Sequence, residues 1–255
     1  AGALNINEEI SAAGTVDIDA AGVTTVAEAG DITSGGAVTF GANKSGTLTT
    51  AGEITTTDDN VTFTNAVTQS GNVAIDTGSS GDILFSSTVA TGDNDLQLDA
   101  GSAGNITAAS SITGGGAMTV VDGSVQQYSG AISVDSLDIQ DATSSVTLDG
   151  DVTTQTTVDI NSGGSLTQNA SVSAGSSLDY DAATMGINNT ITSGTTTEID
   201  ASGVTTIAEA GDIIAGGAVT FGANKSGTLT TAGEITTSDD NVTFTNAVTQ
   251  SGNVA

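Results

Sequence analysis

The sequence predicts an all-β protein, a parallel β-solenoid with three short strands in each coil of about twenty residues. Three observations carry that prediction. Helix signals are weak throughout: Gly is abundant, β-branched Val, Ile and Thr dominate the apolar and neutral positions, and no stripe of 3.6-residue period persists for three turns. Short alternating segments such as VDID, VTF, EITT, VAID and DLQLD recur instead, separated by Gly, Asn, Asp and Ser. These segments fall into columns of regular spacing, with no helical stretch between them.

The chain also contains one long stretch twice. Residues 19–74 recur as 200–255 with an offset of 181 and five differences, which pair Ala21 with Ser202, Val26 with Ile207, Thr33 with Ile214, Ser34 with Ala215 and Thr57 with Ser238. A repeat this long and faithful marks an array. Residues 1–255 therefore read as one continuous solenoid slice. Residues 1–19 close a preceding repeat, 20–200 form one full 181-residue unit, and 201–255 open the next.

Taken in order, the apolar positions define three columns. The first runs Val38, Val61, Ile83, Ile106, Val125, Val146, Leu166, Ile187. The second runs Leu48, Val67, Val89, Ile112, Ile132, Val152, Val172, Ile191. The third runs Ile54, Val73, Leu96, Met118, Leu137, Val158, Leu178, Thr197. Stacked coils turn each column into a parallel sheet with inward side chains above one another. In the third column a second inward residue follows two positions on, from Ile75 and Leu98 to Tyr180 and Ile199, as a strand with one buried face requires. In the first column the same offset gives Phe40, Phe63 and Phe85, an aromatic ladder that ends at Ala108. The seam between Asp19 and Val38 is the irregular place. If Val23, Val26 and Ile32 form a compressed coil, the unit holds nine coils; otherwise it holds eight with a bulge. Nine is the expectation.

Composition excludes several functions. Thirty Asp and Glu face two Lys and no Arg, for a net charge of −28, and the chain has no His, Cys, Pro or Trp. Such acidity suits a disordered chain, but regular apolar columns argue against disorder. Nucleic acid is a poor partner without clustered cations. No run of eighteen apolar residues offers membrane insertion. No basic leader opens the sequence, so any export signal is expected outside it. An enzyme is not expected: without His, Cys or a cationic cluster, acid–base or nucleophilic chemistry would rest on Asp, Glu and Ser alone.

The acids are ordered. Asp or Asn follows the third strand in coil after coil, at Asp19, Asp76, Asp99, Asn161, Asp181 and Asp200, and a second set lies within it at Asp17, Asp138, Asp159, Asp179 and Glu198. Like charges on coils about 4.8 Å apart repel, so either their pKa values rise or a cation lies between them. One reading is a Ca2+ ladder on Asp19, Asp76, Asp99, Asp181 and Asp200; the more economical one is a solvated acidic face. Neither the glycine-rich calcium nonapeptide nor an EF-hand loop is present. No other cofactor is expected. Lys44 and Lys225, both in GANKSG, read as exposed loop lysines, with a salt bridge or an isopeptide bond to Asn or Asp as alternatives. Threonine runs at 47–50, 54–57, 153–157 and 195–197 would give hydroxyl ladders of the kind ice-binding solenoids present. Because the runs fall in different columns, ordinary strand propensity accounts for them.

The proline-free coils, as in VTFTNAVTQSGNVAID and SLTQNASVSAGSSLDYDAAT, resemble the repeats of filamentous-haemagglutinin-type bacterial exoproteins. The resemblance covers the whole chain and rests on composition and spacing, with no diagnostic motif. It implies a right-handed β-helix in a giant extracellular or cell-surface protein, and it brings no catalytic residues. The expected function is thus a structural rod, acting as stalk, sheath or adhesin fibre. Its expected partners are further copies of the repeat in one long chain and laterally assembled rods. The alternatives are a tandem sandwich-domain calcium-dependent adhesin, whose two-residue hairpin turns the sequence lacks, and, further off, an ice-binding or polysaccharide-processing β-helix.

Overall fold

The computed structural model describes residues 2–252. It is an uninterrupted parallel β-solenoid of about 12 turns with three strands per coil and no helix. The chain passes in each coil from face A to face B to face C and then rises to face A of the next. Most strands have three residues, whose first and last side chains point inward while the middle one faces out, as in Leu48–Thr50 and Val67–Gln69. Three short inward-facing strands enclose a single core that runs the length of the solenoid. Ile32, Ile54, Val61, Ile83 and Leu98 within it are 0% exposed.

The second column is face A, and it stands in full from Leu48 to Ile191. It extends to Leu4 and Thr24 on one side and to Ile213 and Ile235 on the other. The third column is face B and the first is face C, with three corrections. On face B, Ile54 lies opposite Ile75 and not Val73, a slip of two residues that leaves the same side chains facing inward. On face C, Gln126 and not Val125 stacks between Ile106 and Val146. A one-residue slip turns Val125 outward, where it is 41% exposed, and brings Tyr128 over the small Ala108. The phenol is held inside by its own strand, since Tyr128 Oη donates to Gln126 Oε1 at 3.1 Å and Gln126 Nε2 donates to the Asp141 carbonyl at 3.0 Å. Further along the face, Met185 and not Ile187 continues the column from Leu166; Ile187 takes the second inward place, after Gln168.

The phenylalanine ladder forms as read. Phe40 stacks on Phe63 with centroids 5.2 Å apart, and Phe63 on Phe85 at 4.8 Å. The seam does not hold a compressed coil. Thr24–Val26, Ile32–Ser34 and Val38–Phe40 are the A, B and C strands of one ordinary coil, and Val23 lies outside it, 43% exposed.

Neither nine coils nor eight fill the repeat. Eight coils beyond Thr24–Val26, face A carries Ile191–Ser193. Two strands further, after Thr197–Ala201 on face B, comes Val204–Ile207 on face C, the copy of Thr24–Val26. The unit is therefore 26 strands long, eight coils and two thirds. The tight corners reproduce in both copies: Gly41 and Gly222 have φ of 77° and 75°, and Asp58 and Asp239 have φ of 58° and 63°. At Asp58 the left-handed backbone aims the carboxylate at the next coil, where it accepts from the Ser79 amide at 2.7 Å and the Ser79 hydroxyl at 2.6 Å.

Candidate functional site

Face B gathers carboxylates by register. Asp138, Asp159, Asp179 and Glu198 are successive Cα partners on four coils, so their outward side chains form one file. A second file two residues on is Asn161, Asp181 and Asp200. A third stands further back along the same face, with Asp76 opposite Asp99 and Asp99 opposite Asp122. The five residues read as a calcium ladder thus fall in three places. Asp76 and Asp99 adjoin, Asp181 and Asp200 adjoin, and Asp19 stands alone after the face C strand Val16–Ile18. There its two oxygens accept from the Asn43 amide at 3.0 Å and the Asn43 side chain at 2.7 Å, which holds the carboxyl below its ordinary range, with Lys44 a lesser influence.

The densest group is Asp159, Asp179, Glu198, Asp181 and Asp200. Loop 222–227 of the next coil folds over its upper end. The Asn224 amide donates to Asp200 Oδ2 at 2.8 Å, the Asn224 side chain donates to Glu198 Oε1 at 2.8 Å, and Lys225 Nζ lies 3.0 Å from Asp181 Oδ1. That last contact is an ion pair without an aligned hydrogen bond, since Asp181 Oδ1 has no hydrogen-bond partner. Asp200 is 0% exposed, and its Oδ1 is likewise without a partner. The group of five acids thus has one ammonium at its edge, in contact with Asp181. Burial, and then the charges of Asp159, Glu198, Asp181 and Asp200, push the Asp179 carboxyl up to about 7. Burial and Asp200 raise Glu198, and burial, Asp138 and Asp181 raise Asp159. Among the described residues, no group of three acidic side chains converges as a metal cage. The arrangement can take up protons near neutral pH and hold a tethered cation, Lys225.

Face A presents the opposite surface. Its outward file runs Asn5, Thr25, Thr49, Thr68, Ala90, Thr113, Ser133, Thr153, Ser173, Thr192, Ile214, Thr236, without a charged side chain. The threonine runs do scatter over the faces, as the sequence indicates, but single threonines from successive coils align. The signal was the residue between the two inward positions of the second column, as in Leu48–Thr49–Thr50 and Val152–Thr153–Thr154. Sequence reasoning also missed the buried glutamines. Gln126 serves Tyr128, and Gln168, 0% exposed, donates to the Ala170 and Asn189 carbonyls, both at 3.0 Å, and accepts from Tyr180 Oη at 3.5 Å. Comparison with known protein families, with curated proteins and with solved structures found no match.

Proposed function

We propose that this chain is a rod-forming segment of a giant, repetitive bacterial surface or extracellular protein of the filamentous-haemagglutinin kind, coiled in the right-handed sense. One observation carries the reading. The second copy of the repeat stacks on the end of the first unit without a break, with Val219 above Thr197 and Phe221 above Ile199 in one continuous core. An array built this way converts chain length into reach, since every added coil contributes about 4.8 Å. The charge of −28 supports an extracellular rod by keeping it soluble, while face A leaves an uncharged strip along which two such rods can approach. The role is mechanical, without catalysis, nucleic acid or membrane insertion, and a Ca2+ ion on the face B carboxylates remains compatible with it as a ligand. The sandwich-domain alternative loses its fold, because the strands pair in parallel in a solenoid. An ice-binding surface finds on face A only a single file of hydroxyl residues, interrupted at Ala90 and Ile214.

Small-angle X-ray scattering on the 255-residue chain tests the rod. Twelve coils give a stiff particle about 58 Å long, and a near-spherical particle of the same mass would overturn the reading. Antibodies against the chain test the location: they label intact cells or secreted filaments of the source, and labelling only after lysis removes the surface assignment.

A further inference from the structure

We infer that the 181-residue unit is a screw that moves its own surface back by one face at every repetition. The inference rests on the solenoid and is independent of where the protein is located.

The same sequence occupies different faces in the two copies. Val38–Phe40 lies on face C, and its copy Val219–Phe221 on face B. Ile32–Ser34 lies on face B, and its copy Ile213–Ala215 on face A. Leu48–Thr50 lies on face A, and the copy Thr228–Thr231 on face C. Each is displaced by one strand, because 26 strands are one short of nine full coils. The three faces are interchangeable to the chain. Each asks for a three-residue strand with two inward apolar or small side chains, and the core reads only that alternation.

Several contacts between neighbouring coils travel with the sequence. The Asn43 amide donates to Asp19 Oδ1 at 3.0 Å, and the Asn224 amide to Asp200 Oδ2 at 2.8 Å. The Asn65 side chain donates to the Lys44 carbonyl at 2.7 Å, and that of Asn246 to the Lys225 carbonyl at 3.0 Å. The Glu53 amide donates to Asp31 at 2.8 Å, and that of Glu234 to Asp212 at 2.9 Å. Phe221 stacks on Phe244 at 5.2 Å, as Phe40 does on Phe63. These contacts are set down on another side of the rod, with one change: the Asn43 side chain donates to Asp19, and that of its copy Asn224 to Glu198.

The feature most visibly carried is the lysine loop. Residues 41–46 lead from face C to face A, whereas 222–227 lead from face B to face C. Both basic side chains of the chain thus emerge at different corners, about 42 Å apart along the axis. In a run of such units the loop returns to its first corner after three of them, 26 whole coils or about 125 Å.

The chain has no cysteine, so introduced pairs report cleanly. The screw places Glu198 beside Thr220 and Thr192 beside Ile214. A unit of eight whole coils with a bulged seam would instead place Glu198 beside Thr236 and Thr192 beside Thr230, the copies of Thr55 and Thr49, and one of nine would place Glu198 beside Ile214, so that E198C/T220C stays dark in both. Four double variants, E198C/T220C, T192C/I214C, E198C/T236C and T192C/T230C, are treated with dibromobimane, which fluoresces once both arms have reacted. The first two are expected to cross-link within one chain to near completion, and the last two to stay dark. Cross-linking of the last two, or of none in chains whose circular dichroism matches the parent, would overturn the screw. The two independent positions keep the result readable if one variant misfolds.

Discussion

Glu198 and Thr220 are Cα partners on face B, yet Thr220 is the repeat copy of Thr39, which stands on face C opposite Asp17. Asp17 is itself the position that Glu198 repeats. The pair is thus conserved as a pair while its face is not. The three-strand coil remembers neighbours one coil away and nothing longer. Sequence identity at an offset of 181 fixes local contacts, and the number of strands between copies decides which side of the rod shows them.

The carboxylate files on face B make stability depend on pH around neutrality. Asp179 has a folded pKa of about 7 against an unfolded 3.8, held up by burial and by Asp159, Glu198, Asp181 and Asp200, with Lys225 the one cation nearby. A raised acid costs nothing while protonated in both states. Its ionisation opposes folding increasingly as pH rises from 3.8 through 7. Thermal unfolding followed by circular dichroism should show a higher midpoint at pH 5 than at pH 8. D179N should flatten that fall and raise the midpoint at pH 8. An unchanged pH profile in D179N would remove Asp179 as its source.

Asp19 and Asp58 act in the opposite direction. Hydrogen bonds from Asn43 and Ser79 lower their folded pKa values below 3.8, so their contribution is present above that pH and is lost as pH falls through the lowered values. The same melting series should therefore decline again in strong acid, and D19N with D58N should weaken that acid limb alone. A decline unaffected by both substitutions would place its cause elsewhere.

The polar core around Tyr128 yields a third prediction. Tyr128 is fully buried, and burial drives its phenol far above the ordinary value, so it stays protonated and donates to Gln126. Y128F keeps the ring and leaves Gln126 Oε1 buried without its donor, which costs about 1–3 kcal/mol. Converting Gln126 to Leu in the same chain removes the orphaned oxygen, together with the bond to the exposed Asp141 carbonyl, and should recover part of the loss. Denaturant unfolding of the two single variants and the double variant measures the coupling; simple additivity would mean the bond contributes nothing.

The fold class, the three columns and the phenylalanine ladder were legible because each depends on residues that repeat at a fixed local spacing. The second column needed no correction, since its strands carry an apolar residue at the first inward position in every coil from Leu48 to Ile191. The errors arose where the alternation admits two frames. At Val125–Tyr128 an apolar residue stood one place before the true inward position, and a buried Gln supplied no hydrophobic signal. The screw was within reach, since Thr197 closes the third column twenty-two residues before Val219, the copy of the residue that opens the first. The acid site was only half legible. Register placed Asp179 beside Glu198 and Asp181 beside Asp200, but loop 222–227, which reaches back over them, has no periodicity from which its fold could be read.

The phenylalanine stack shows how stability depends on having a coil on both sides. Phe63 lies between Phe40 and Phe85 and is 1% exposed, whereas its copy Phe244 stacks on Phe221 from one side and is 42% exposed. F63A opens a cavity in the middle of a close-packed ladder, and its expected cost is about 3–5 kcal/mol. F244A removes the same atoms from a half-exposed site, and its cost in this chain should be about 1–2 kcal/mol. Identical substitutions at repeat-equivalent positions should therefore differ by a factor of two or more in the unfolding free energy. Equal losses would show that the ladder gains nothing from its second neighbour, and that the coils contribute independently of their stacking.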